Sequence, residues 1–191
     1  VQLTLFENLS RAISAAPTTA AKAAIGRAAE LSIAKHRALA DEIVRAGGSV
    51  AEAMEPYTAE VDQFERWTHG ADWFETLMTC YLCAGFLDDF FVRLAAGLPA
   101  DAAKRITDIY QSTSAEDILA QQLQQAIDAN PRLASRLAMW GRRLVGDTML
   151  VARSALTFTE NHQSDEARVE PVFTELIAAH TRRMDGLGLT A

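Results

Sequence analysis

The amino-acid sequence predicts an all-α protein, an antiparallel four-helix bundle with additional C-terminal helices. Three observations lead to this prediction. Alanine, the strongest helix former, accounts for 35 of the 191 residues. Apolar residues recur every three or four positions through the long segments, which is the period of an amphipathic helix. Only 5 prolines and 10 glycines interrupt the chain, and no alternating β-branched run is followed by a hairpin turn.

Helix-breaking residues divide the N-terminal half into four predicted helices. Pro17 ends the first helix, and Thr18 or Thr19 is the expected N-cap of the second. The pair Gly47-Gly48 stops the second helix, because glycine readily ends a helix. Asp72 is the expected N-cap of the fourth helix, which is long and apolar. The four predicted helices cover residues 3–16, 19–46, 55–67 and 73–96.

The C-terminal half predicts three further helices. Pro99 can occupy the first turn of a helix that extends to Asn130, and Pro131 opens the next, through about residue 160. The polar residues 161–167 are expected to form a loop. Glu170-Pro171 begins the C-terminal helix, which covers about 168–185. We expect residues 1–191 to form a single domain with its bundle core at about 1–160.

Charge and apolar patterning exclude several classes of protein. The net charge is −7 and the pI is about 5.1, which argues against a nucleic-acid partner that is bound through its phosphates. The sequence contains no run of 18 apolar residues, so it does not predict a membrane span. The N-terminus does not have the basic and then apolar pattern of a signal peptide. With only two cysteines, the expected location is the cytoplasm, where thiols stay reduced.

The four histidines do not fit the metal motif of a di-iron helical bundle. That motif places a glutamate three residues before a histidine on each of two helices, so that both side chains reach one ion. The residues three positions before the histidines are instead Ile33, Arg66, Thr159 and Ile177. We therefore expect no cofactor, and a standard di-iron site cannot be built from these pairs.

Cys80 and Cys83 form a C-x-x-C motif on the predicted apolar helix. A zinc site needs four ligands, and no second pair lies nearby. A thioredoxin-like motif needs a βαβ unit, which the sequence does not predict. We interpret both residues as buried, small apolar thiols. A thiol-redox protein that uses Cys80 and Cys83 remains an alternative.

Acidic residues interrupt two apolar seams. Glu116 and Asp147 stand at seam positions, and Arg143 lies four residues before Asp147. Because a buried carboxylate needs a partner, these three residues could form a buried polar network. The network would be either a structural set of ion pairs or the wall of a ligand pocket.

Two blocks of the sequence resemble a known family. They are residues 72–91, which include Asp72-Trp73-Phe74-Glu75, and the stretch Asn130-Pro131-Arg132-Leu133 through Gly146. Both resemble the ferritin-like, MiaE-like tRNA hydroxylase family of actinobacteria, and the resemblance covers about residues 1–156. It implies a ferritin-like four-helix bundle. The enzyme class implies a di-iron oxygenase that hydroxylates a modified tRNA adenosine, and tRNA is expected as a partner only through this resemblance.

The family's metal ligands, carried onto this chain, are mostly replaced. Glu30 is the one position that the resemblance keeps, as a remnant of the metal site. On the fourth predicted helix the ligand falls near Ala84, with Asp88 or Asp89 as substitutes if the register differs. The remaining family positions carry Gln2, Ile33, Ser112 and Ala115.

The function that we expect is therefore a ferritin-like protein that has lost the di-iron centre. Its role would be non-catalytic, either structural, binding or regulatory, and we expect a homodimer and no membrane association. The alternative is a MiaE-like di-iron oxygenase or hydroxylase that acts on modified tRNA.

Overall fold

The structure is a computed structural model that describes residues 1–112, 114–156 and 166–190, with side chains in those ranges except at 154–156 and 166–169. The described residues contain no β-strand, which confirms the predicted all-α class. A 3₁₀ turn at Glu55–Tyr57 joins two short helices, Val50–Met54 and Thr58–Thr68. The helices are α1 (Gln2–Ala15), α2 (Thr19–Arg45), α3 (Val50–Met54), α4 (Thr58–Thr68), α5 (Trp73–Ala95), α6 (Ala100–Gln111), α7 (Glu116–Ala129), α8 (Arg132–Leu156) and α9 (Glu166–Gly186).

Four helices, α1, α2, α5 and α7, form a closed ring of contacts. Helix α1 packs against α2 and α5, and α7 packs against the same two helices. Helices α3 and α4 lie in the long connection from α2 to α5, the kind of crossover that some four-helix bundles contain. Helix α5 also packs against α8 and α9 on its other side, so that its apolar residues are buried almost all round.

Two predicted caps begin the long helices. The Oγ1 atom of Thr18 accepts a hydrogen bond from the backbone N–H of Ala21 at 3.1 Å. The Oδ1 atom of Asp72 accepts one from the N–H of Glu75 at 3.0 Å. Each cap satisfies a backbone donor that the first turn of a helix leaves without a partner. The caps fix where α2 and α5 start, and so where their side chains point.

The single helix predicted for 99–130 is wrong, because the chain breaks it into α6 and α7. The hydroxyl of Ser112 donates to the carbonyl of Ile109, and the Oγ atom of Ser114 accepts from the backbone N–H of Glu116 at 3.0 Å. Serine side chains compete in this way with the hydrogen bonds of a continuous helix. Helix α7 therefore begins at Glu116.

The C-terminal helix starts earlier than predicted, at Glu166, and Pro171 lies inside it. The proline removes one backbone hydrogen bond, which the helix tolerates near its start. The predicted extension of α8 beyond 156 and most of the predicted loop at 161–167 lie outside the described residues.

Two groups of buried apolar residues join the helices. The larger fills the ring of α1, α2, α5 and α7 and extends to α8 and the C-terminal residues. The smaller includes Phe86, Phe90 and Phe173 and lies between α5, α8 and α9. Among the described helices, none is long and apolar enough to cross a membrane.

Candidate functional site

The interior face of α2 differs from the one that the resemblance implies. Glu30 is exposed to solvent, so the structure does not place this remnant ligand in the bundle. Ala28, Ser32 and Lys35 are buried instead. Side chains two positions apart on an α-helix differ by about 200° of rotation about its axis. A shift of two positions therefore moves a side chain from the interior to the surface. The interior pair on α2 is therefore Ser32 and Lys35, three positions apart.

The Lys35 side chain is buried and ends against a carboxylate of α5, near the first residues of α1 and α7. Its Nζ atom donates to Oδ2 of Asp88 at 2.7 Å and to the backbone carbonyl of Tyr110 at 3.3 Å. Gln2, on α1, donates from Nε2 to the other oxygen of Asp88 at 2.6 Å. The side chain of Lys35 is only 6% exposed and that of Asp88 is 19% exposed. Helices α1, α2, α5 and α6 thus meet in one largely buried polar contact.

A second contact, centred on an arginine, lies beside the contact between Lys35 and Asp88. Arg183, on α9, donates from Nε to Oε1 of Glu116 at 2.8 Å and from Nη1 to Oδ2 of Asp89 at 2.9 Å. Its guanidinium crosses the helix face at Gly85, where a Cβ atom would overlap Arg183. Glycine at this position therefore lets an arginine from the last helix reach carboxylates of α5 and α7.

We call the residues of these two contacts the interior charge cluster. A small cavity of about 20 Å³ adjoins it, which is room for about one water molecule and too little for a substrate. The cluster consists of Gln2, Lys35, Asp88, Asp89, Glu116 and Arg183.

Burial changes the acidity of groups around the cluster. Desolvation raises the pKa of Asp88, and the charge and hydrogen bond of Lys35 oppose that change. Burial also raises the pKa of Tyr110. The pKa of Tyr81 is raised to about 12 by burial and then by the charge of Glu116. Both phenols are therefore neutral hydrogen-bonding groups at ordinary pH.

The donor set at the centre does not fit the di-iron group that the resemblance implies. The di-iron pattern needs one glutamate from each of two helices and Glu-x-x-His from each of the other two. The interior positions of α1, α2, α5 and α7 instead carry Gln2, Ser32 with Lys35, Asp88, and Glu116 with Leu119.

Only two of those interior positions offer a carboxylate. Each of the two, Asp88 and Glu116, already has a cation of the protein as its partner. Within the described residues, no group of three or more His, Cys, Asp or Glu side chains is arranged to hold a metal ion.

The predicted network of Glu116, Arg143 and Asp147 divides into two separate contacts. Glu116 pairs with Arg183. The Nε atom of Arg143 lies 3.7 Å from Oδ2 of Asp147, and the arginine side chain is 58% exposed. The guanidinium of Arg143 also lies over the ring of Trp140, 5.0 Å from its centroid. The arginine of this pair is exposed, whereas Asp147 is partly buried and its Oδ2 atom has no hydrogen-bond partner among the described residues.

Both cysteines are buried and free in the interior of α5. Burial raises the pKa of both thiols, that of Cys83 to about 12. The Sγ atom of Cys83 lies 3.2 Å from Oγ1 of Thr148. A thiolate is the reactive form in redox chemistry, and this environment disfavours it.

A larger cleft of about 260 Å³ opens at the surface between α1 and the turn before α5. Its charged side chains already have partners: Arg11 pairs with Glu65, and Asp72 pairs with Arg136. Neither of these two pairs therefore offers a free charge to a ligand.

Lys35 and Arg183 were not among the residues predicted for the site. Lys35 extends the buried spacing Ile25, Ala28, Ser32 on α2, and this spacing is the signal that could have located it. Arg183 has no comparable signal, because its partners lie 67 and 94 residues earlier in the chain.

Comparison with known families adds a match to the helical region. A family model described as a ferritin-like domain of actinomycetes matches residues 1–162, which leaves α9 beyond the matched region. No curated protein matches the chain at a significant level.

Proposed function

The chain belongs to the actinomycete ferritin-like domain family, and from this premise we propose that it works without a di-iron centre. Its role is then non-catalytic, either structural, binding or regulatory. The observation that carries the proposal is the hydrogen bond of the buried Lys35 ammonium to Asp88, 2.7 Å long, between α2 and α5 of the ring.

A fixed ammonium at this place opposes metal binding in two ways. It uses the carboxylate that a metal would need, and its positive charge repels a divalent cation at short range. Arg183 has the same effect on Glu116 and Asp89. A metal would have to displace the Lys35 ammonium, 6% exposed, and the Arg183 guanidinium, 13% exposed, from these carboxylates. A cation that is left largely buried without its partner is costly.

The proposal includes a homodimer in the cytoplasm. The two free cysteines support this location, because thiols stay reduced there. Sedimentation of the purified chain tests the dimer: we expect twice the chain mass, and a monomer over the whole concentration range would contradict it.

Cobalt titration tests the metal-free interior. Under the proposal, Co²⁺ added to the purified protein gives no saturable visible absorption band from the interior. A saturable band that disappears in Asp88→Asn, but persists in the exposed control Asp101→Asn, would overturn the proposal. That outcome would favour the alternative function, a MiaE-like di-iron oxygenase.

A further inference from the structure

Helix α8 exposes large apolar side chains along one face. Met139 is 66% exposed and Leu150 is 56% exposed. Exposed positions recur on this face every three or four residues, which is the spacing that a second helix would contact. We call these exposed positions the α8 stripe: Met139, Arg142, Gly146, Leu150 and Arg153.

The α8 stripe is basic in an acidic protein. Two of its five residues, Arg142 and Arg153, are arginines and none is acidic, in a chain with a net charge of −7; the one acidic residue of α8 is Asp147. Asp147 already lies beside Arg143. Within the described residues, Arg142 donates to the carbonyl of Thr190, and Arg153 lies over the ring of Phe173, 5.1 Å from its centroid. Neither contact neutralises a positive charge.

The middle of the stripe is open. A Cβ atom at Gly146 would meet no atom within 4 Å. Another backbone could therefore approach α8 closely between Met139 and Leu150, which stand eleven residues apart, about three turns of helix. On α4, Trp67 is 44% exposed and its carbonyl accepts from Arg143 of α8 at 3.1 Å.

We propose that the α8 stripe binds an amphipathic helix of a partner protein, with an apolar face flanked by Asp and Glu. The apolar face would cover Met139 and Leu150, and the acidic flanks would meet Arg142 and Arg153. A second copy of this chain fits less well, because it would bring two basic stripes together. A nucleic acid would use the arginines but would leave the two apolar side chains uncovered.

This inference rests on the binding role proposed above and gives that role a surface and a class of partner. The probe is a labelled synthetic peptide of about 20 residues, long enough to form a helix, with leucines at helical spacing and glutamates beside them. The control peptide keeps the leucines and replaces each glutamate with lysine. Fluorescence anisotropy measures binding to the full chain.

We expect the acidic peptide to bind saturably, and its affinity to fall as salt screens the charges. The double variant Met139→Glu with Leu150→Glu should weaken binding about tenfold or more, because it removes apolar contact and adds repulsion. The matched control is Leu98→Glu, which changes a leucine that is 45% exposed in the turn after α5. It should leave the affinity unchanged.

Four binding results would overturn the inference. They are no saturable binding of the acidic peptide, equal binding of the lysine peptide, an unchanged affinity in the double variant, and tighter binding of an RNA hairpin than of the peptide. Loss of a dimer in the double variant would also overturn it, because the stripe would then be the contact between two copies. None of these results involves metal, so failure here is distinguishable from failure of the metal-free interior.

Discussion

The Nζ atom of Lys35 lies 2.7 Å from Oδ2 of Asp88, and this contact joins α2 to α5 inside the bundle. Both charges are largely withdrawn from water, and Gln2 satisfies the second carboxylate oxygen. A contact of this kind is costly to break from one side, because the remaining charge is left buried.

Replacing Lys35 with Met should therefore destabilise the protein by about 3 kcal/mol, since it strands Asp88 while keeping the aliphatic packing of the stem. Urea denaturation measures the change in the free energy of unfolding. The control is Lys104→Met in the exposed pair Lys104–Asp108, which should change stability by less than about 1 kcal/mol. Adding Asp88→Asn to Lys35→Met should recover part of the loss, and equal losses in Lys35→Met and Lys104→Met would refute the prediction.

Replacing Gly85 with Ala should destabilise the protein, because the new Cβ forces Arg183 away from Glu116 and Asp89. In an Arg183→Ala background the same substitution should instead stabilise by about 0.5–1 kcal/mol, the helix preference of alanine over glycine. Gly146→Ala, where nothing lies within 4 Å of the new Cβ, should stabilise by the same amount in the wild-type chain. The same effect of Gly85→Ala in both backgrounds would show that Arg183 is not held there.

We expect His180 to make the folded protein less stable in mild acid. It is buried on α9, and burial lowers its pKa from the usual 6.5 to about 4. Between these two values the unfolded chain binds a proton that the folded chain does not, so stability falls with pH by up to about 3 kcal/mol.

A His180→Gln variant should have a shallower fall in stability between pH 6.5 and pH 4 than the wild type. The control His69→Gln, at an exposed position, should follow the wild type. Urea denaturation at a series of pH values gives both curves, and parallel curves for the wild type and His180→Gln would rule out this role for His180.

Cys80 and Cys83 should not react with a thiol reagent in the native protein. Both thiols are buried, so a reagent cannot reach them, and both have a raised pKa, so that little of the reactive thiolate forms. We expect labelling by dithionitrobenzoate only as fast as the protein unfolds. Rapid labelling of either thiol without denaturant would favour the thiol-redox alternative.

The sequence predicts the helices well and the interior poorly, and the reason is physical. Helical period and capping residues such as Thr18 and Asp72 act locally, so they can be read along the chain. Which residues face the interior depends on how far each helix is rotated about its axis. The prediction places Glu30 in the interior of α2, but Glu30 is exposed and Ser32, two positions later, is buried.

Tertiary contacts account for the remaining differences. Arg183 reaches Glu116 only because α9 packs against α5, which no local pattern reveals. The break before α7 depends on the hydroxyl groups of Ser112 and Ser114 and is local, but its signal is weak beside the helical period of the surrounding residues.

The most direct test of the account is the metal content of the purified protein after expression with added iron and manganese. We expect no stoichiometric metal, because Lys35 and Arg183 already neutralise the carboxylates of the interior. Inductively coupled plasma mass spectrometry measures it, with Asp88→Asn and Glu116→Gln as comparison variants. Stoichiometric iron or manganese in the wild type that is lost in both variants would contradict the account.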